Sequence, residues 1–242
     1  MSFLLCLCFY TPIFAAYFEK CHYLDSSQII ILFSVYSFST FLFEIPTGII
    51  GDVLGEKTSL LMGAFLTIIS TFLFLMNSFV YFVIAQIIYG MAQTFFSGSF
   101  ESYAFKFCRQ NNRDYDKTLS KLYSLQWCAL CFSFALCFFF VRYSLVIPFY
   151  ATIIANFLCL VSALLLPALN KVERRTDRMT FASFFSCFTE NRQLLFICII
   201  HSWFSMVLIV GYQLFQVLFS EKSFSADYNA VIYFFATLFP PL

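Results

Sequence analysis

Charged residues are what this chain has least of: 13 acidic and 14 basic side chains, 11% of 242 residues, with a net charge of +1. A soluble domain carries about 25% charged residues, so the ordinary water-soluble class is excluded. No basic excess is available to neutralise phosphates, and nucleic acid drops out as a partner. Histidine is nearly absent, at two residues. With no HExxH, nucleophile motif or phosphate loop beside them, no catalytic constellation forms and no enzyme is expected. No Lys or Arg precedes the first apolar run. It therefore lacks the charged start of a signal peptide, despite Ala15 and Ala16, and is expected to stay as a helix. Length is short as well, because twelve membrane spans would take roughly 240 residues before any loop was built.

Cysteine is not scarce, at ten residues, but Cys6, Cys8, Cys128, Cys131, Cys137, Cys159 and Cys198 all stand inside apolar runs. There they read as small hydrophobes rather than a disulfide framework. Cys128 and Cys131 form a CxxC with no second thiol pair or His nearby, so no metal and no other cofactor is expected.

What the chain has in abundance is apolar surface: 61% hydrophobic and 22% aromatic residues, 37 of them Phe. Uncharged runs at 2–18, 28–50, 58–78, 79–104, 119–141, 145–168 and 193–219 each approach the length of a transmembrane helix. A further run, 229–239, stops at Pro240 and Pro241 and would rise only about 16 Å, a fragment of a span. Three segments follow: a six-helix bundle over 1–169, a cytoplasmic linker over 170–192, and an incomplete second bundle over 193–242. Within the linker, Phe181, Phe184, Phe185 and Phe188 fall on one helical face beside a basic cluster, the pattern of an interfacial amphipathic helix. Most basic residues fall in the even-numbered loops, leaving only Lys20, Arg142 and Lys222 in the odd ones. The positive-inside rule then places the N-terminus in the cytoplasm of a multi-pass protein of the inner or plasma membrane.

The stretch with the most mechanical content is Glu44-Ile45-Pro46-Thr47-Gly48-Ile49-Ile50-Gly51-Asp52-Val53-Leu54-Gly55-Glu56-Lys57. Gly48 and Gly51 stand three apart, where they would let a neighbouring backbone approach, and Gly55 permits a tight turn ahead of a cation. It resembles the loop signature of the major facilitator superfamily: Gly, three residues, Asp, two residues, Gly, then basic residues. The resemblance implies an all-α membrane fold, here a six-helix bundle of the major facilitator type plus one further span and a partial eighth. It also implies a secondary transporter moving a small solute through the lipid bilayer by alternating access, with Gly48, Asp52, Gly55, Glu56, Lys57 and Lys106 as a cytoplasmic latch. A missing C-terminal half or a second copy of the chain is the expected partner. The alternative is a non-transporting, truncated remnant or membrane-interaction subunit.

Several residues depart from the family pattern. Glu56 stands where the loop usually has Arg, Gln86 replaces the Arg of the Arg-x-x-x-Gly element, and Lys106 occupies a place where an Asp is expected. Both signs at the latch are reversed, so Glu56 and Lys106 are expected to pair. Glu44 and Glu101 are carboxylates in apolar runs and should face protein or water, with Glu44 the more buried. They join Gln86, Gln93 and Gln216 as candidate substrate-path or proton-path residues. Gly90, Thr94 and Gly98 form a smooth stripe for helix contact. His201, Gln213, Gln126 and Asn156 are read as ordinary interhelical hydrogen-bonding groups.

Overall fold

A computed structural model describes residues 4, 6–167, 192–221 and 231–232 of the chain. The side chains at 52, 192, 194, 198, 201, 202, 205, 208 and 219–221 lie outside that description. The linker up to residue 191 and the run over 229–239, apart from 231–232, fall outside it too. The described residues form seven α-helices: α1 Phe14–His22, α2 Ser26–Leu54, α3 Glu56–Leu73, α4 Phe79–Gln110, α5 Tyr115–Val141, α6 Ile147–Leu164 and α7 Arg192–Glu221. Five of them, α2 to α6, are long and apolar enough to cross a membrane. Two compact units divide the chain, residues 1–168 with 216–242 and residues 169–215.

Local chemistry sets the boundaries. Gln28 accepts from the Asp25 backbone N–H at 3.1 Å, closing the first turn of α2. Asp114 accepts from the Lys117 N–H at the start of α5. Gly55, at φ +91°, separates α2 from α3 with a backbone that a side chain would strain. Pro46 lies inside α2 without ending it. The neighbouring Thr47 hydroxyl donates to the Phe43 carbonyl at 2.7 Å, supplying a bond within the turn that proline weakens.

One expectation needs correction. The run over 2–18 is not a single helix: a 3-10 turn at Thr11–Ile13 precedes α1, which continues to His22. Pro12 opens that turn. Nine residues of α1 rise only about 14 Å, so this helix by itself does not match the roughly 30 Å apolar core.

In the first unit α4 packs along both α2 and α3. Small residues allow the approach. A Cβ on Gly90 would lie 2.8 Å from Ser39 Cβ and 3.0 Å from the Thr40 nitrogen, and one on Gly63 would lie 2.9 Å from the Phe96 ring. On α3, the buried Thr67 and Thr71 hydroxyls donate to carbonyls four residues back, so polar groups sit at the contact already satisfied. At the end of the bundle opposite Gly55, rings of Tyr10, Phe14, Phe18, Phe74, Phe82 and Phe149 make the main buried core. Tyr10 stacks on Phe149 with centroids 4.7 Å apart and planes within 7°.

Candidate functional site

At the Gly55 end, α3, α4 and the close of α6 are tied together by side chains on either side of the helix ends. Glu56, the first residue of α3, forms an ion pair with Lys106 near the end of α4, and the Ser102 hydroxyl donates to the same carboxylate at 3.1 Å. The two charged side chains remain 18% and 30% exposed respectively, so the pair is partly screened by solvent. Lys57 points elsewhere. Its ammonium donates to the carbonyls of Leu164 and Leu166 at 2.8 and 2.6 Å, where the closing turn of α6 leaves acceptors without helical partners. Tyr103 on α4 donates to the Pro167 carbonyl at 2.9 Å, so α6 is held from two sides.

The glycines of the loop divide their work. A Cβ on Gly51 would meet Ser59 Oγ at 3.1 Å and Ser99 Oγ at 3.5 Å, whereas one on Gly48 would meet nothing within 4 Å. Close approach therefore rests on Gly51, and Gly48 faces open space. The Asp52 side chain lies outside the described residues.

A second cluster runs along the seam between α2 and α4. The two helices lie parallel and hold one register. The rings of Tyr36 and Tyr89 are 5.4 Å apart, and the Ser97 hydroxyl is 3.1 Å from Glu44 Oε1, each pair being 53 residues apart in the chain. By the same offset Thr40 corresponds to Gln93, and polar groups recur at every fourth residue of both helices. Tyr36 and Tyr89 each lie ten residues from the start of their helix, about 15 Å along it and half the depth of an apolar core. Gly90 makes the meeting possible, because its missing side chain lets α4 touch the backbone of Tyr36 and Thr40.

Exposure rises along this seam toward the Gly55 end. Tyr36, Thr40, Tyr89 and Gln93 are half-buried, while Glu44 and Ser97 are exposed. Glu101, the next fourth residue on α4, is also exposed and accepts from the Tyr123 hydroxyl of α5. Glu44 is thus exposed, as are its neighbours on α2 from Phe41 to Pro46 apart from Phe43, which is half-buried. Gln86 is buried at the base of the seam, one turn before Gly90. Of the small-residue stripe, Gly90 is in tight contact and Thr94 is buried, but a Cβ on Gly98 would meet nothing within 4 Å.

The seam ends against the interrupted first segment. Cys8 Sγ lies 4.0 Å from the Tyr89 hydroxyl, and Tyr10 packs edge-on to the same ring. Phe9 donates its N–H to Thr152 Oγ1 of α6 at 3.0 Å. Gln216, 1% exposed, accepts from the Ala15 N–H at 3.3 Å and donates to the Thr11 carbonyl at 2.8 Å. Ala15 and Thr11 are the donor and acceptor that would join in one turn of an unbroken helix, so the glutamine amide stands in the place of that turn.

Among the predicted path residues, Glu44 and Gln93 fall on the seam and Glu101 continues it. Gln86 lies buried beside it. Gln216 serves the first segment. Tyr10, Tyr36, Tyr89 and Ser97 were not anticipated, although a four-residue spacing of polar groups inside uncharged runs is readable in the sequence as Tyr36, Thr40, Glu44 and as Tyr89, Gln93, Ser97. Among the described residues, no three His, Cys, Asp or Glu side chains converge as metal ligands.

A family model described as Major Facilitator Superfamily matches residues 1–240. No curated protein matches the chain in sequence. Fourteen chains of solved structures resemble it in fold. One, the crystal structure of a mutant of the nucleoside transporter NupG, aligns with a TM-score of 0.77 at 11% sequence identity, covering 96% of this chain and 62% of that one. The chain therefore spans less than two thirds of the length of that relative in fold.

Proposed function

Because the chain belongs to the Major Facilitator Superfamily, we propose that this multi-pass, transporter-type membrane protein moves a small solute by alternating access. The observation that carries the reading is the polar seam of Tyr36, Tyr89, Thr40, Gln93, Glu44 and Ser97, which runs from mid-depth toward the Gly55 end between two long apolar helices. Polar groups within the apolar core are costly unless they meet protein partners, water or a solute, and on this seam Glu44 and Ser97 stay exposed. The ring cluster around Tyr10 and Phe149 fills the bundle at the far end of the seam, while exposure grows toward Gly55. That asymmetry supports a state open on the Gly55 side. The N-terminus and the Gly55 turn lie in the cytoplasm, at the inner or plasma membrane. Glu56, Lys57, Lys106 and Tyr103 latch the cytoplasmic ends of α3, α4 and α6, and Gly48, Asp52 and Gly55 lead into the turn between α2 and α3. Gln86 and Glu101 flank the solute path, and Gln216 holds the first segment against it.

A second bundle supplies the opposite wall, from a separate C-terminal half or a second copy of the chain. Uptake into liposomes tests the proposal, with a nucleoside first in the panel because the relative in fold is a nucleoside transporter. Saturable uptake is expected from cross-linked dimers or from the chain joined to a second half, and not from monomers. Robust monomer flux would remove the need for a second bundle, and no saturable flux from any preparation would end the transport reading.

A further inference from the structure

We propose that the seam between α2 and α4 is a binding site for an organic cation, with the aromatic end formed by Tyr36 and Tyr89 and the charged end by Glu44. The inference rests on the transport reading only for its physiological meaning, since binding can be measured without flux. Three independent observations point to a positive ligand. First, no Lys or Arg occurs between Lys20 and Lys57 or between Lys57 and Lys106, so α2 and α4 carry no cation along the whole length of the seam. An anionic solute would meet only π-faces, hydroxyls, an amide and a carboxylate there.

Second, Glu44 is an exposed carboxylate in an apolar helix, and among the described residues the group bonded to it is a neutral hydroxyl, that of Ser97 at 3.1 Å. That hydroxyl is shared with the Thr94 carbonyl, also at 3.1 Å. Hydroxyls do not balance a charge, and a carboxylate at membrane depth calls for a cation or water beside it. Third, two tyrosine rings stand two helical turns away, about 12 Å along the same seam, half-buried and tilted by 33° to each other. Aromatic faces attract cations and take up flat apolar bodies. The head of the site is closed by Cys8 and Tyr10, against Tyr89. A ligand with a flat or bulky aromatic body and a delocalised or ammonium charge matches this order of groups, and a nucleotide or carboxylic acid does not.

The test uses the purified chain in uncharged detergent, with ethidium as the fluorescent probe. Ethidium should bind saturably and be displaced by tetraphenylphosphonium, but not by uridine or uridine monophosphate. Glu44→Gln should weaken it by about tenfold or more, while Glu44→Asp keeps binding within about threefold, and Tyr36→Leu or Tyr89→Leu should weaken it without altering thermal unfolding. Absence of displaceable ethidium, equal displacement by the neutral and anionic solutes, or an unchanged affinity in folded Glu44→Gln would overturn the proposal. If Glu44→Gln does not fold, displacement from the wild-type chain decides alone. Cation binding with no flux even from cross-linked dimers or joined halves would leave this site standing and remove transport; flux of an anionic or neutral solute without cation binding would do the reverse.

Discussion

Single residues in this bundle act mainly by what they leave room for. Gly90 is the clearest case, because a methyl there would overlap Ser39 Cβ at 2.8 Å and crowd the backbone of Tyr36 and Thr40. Backbone cannot turn aside as a flexible side chain can. Gly90→Val is expected to lower stability by about 1–3 kcal/mol, the cost of overpacking a close contact, and to separate Tyr36 from Tyr89. Thermal unfolding in detergent reads the first effect, and Gly98→Val, facing open space, is the matched control that should stay near wild type. The Glu56–Lys106 pair is a smaller quantity. Partly exposed as it is, it contributes about 0.2–1 kcal/mol. Glu56→Lys and Lys106→Glu should each lose that amount or somewhat more, and the swapped double variant should recover it. A double-mutant cycle on unfolding midpoints checks this, and additive losses would show that the two charges do not act on each other. The reversed signs were visible in the sequence because each departs from a motif whose partner is known by spacing. Gly48 and Gly51 were not separable there, since three-residue spacing says that glycines share a face and not which one meets a neighbour.

At the scale of elements, the long helices were legible and the broken one was not. Runs of uncharged residues near the length of the apolar core announce α2 to α6 directly, and Gly55 announces the turn between α2 and α3. The first run has the same composition, yet the chain there turns at Thr11–Ile13 and begins its α-helix only at Phe14. Its cause is partly Pro12 and partly a residue 201 positions away, Gln216, whose amide takes the Ala15 N–H and Thr11 carbonyl. Hydropathy cannot report a hydrogen bond of that range. Gln216→Leu removes the partners of one buried and one half-buried backbone group, and the expected loss is about 1–3 kcal/mol, read as a lowered unfolding midpoint. Gln216→Glu keeps the acceptor for Ala15 but loses the donor to Thr11, so it should also destabilise. An unchanged midpoint in both variants would mean that the turn is fixed by Pro12 alone.

For the whole molecule, sidedness governs every mechanical statement, because the latch and the open end of the seam have meaning only relative to a membrane face. Alternation of basic content between loops is a long-range signal that survives ignorance of packing, which is why the sequence carries it and the fold of a single bundle does not. Lys171, in the basic segment after the sixth span, and Ser144, between α5 and α6, should lie on opposite sides. In a cysteine-free background, a thiol placed at Ser144 should react with an impermeant maleimide added to intact cells, and one at Lys171 should react only after the membrane is opened. The same experiment reports on the seam. With the cytoplasm at the Gly55 end, a cysteine at Ser97, which is exposed near that end, should be reached from inside and not from outside. If Lys171→Cys labels from outside, the N-terminus is external, the latch is extracellular, and the seam opens to the opposite compartment while its internal chemistry stays as described.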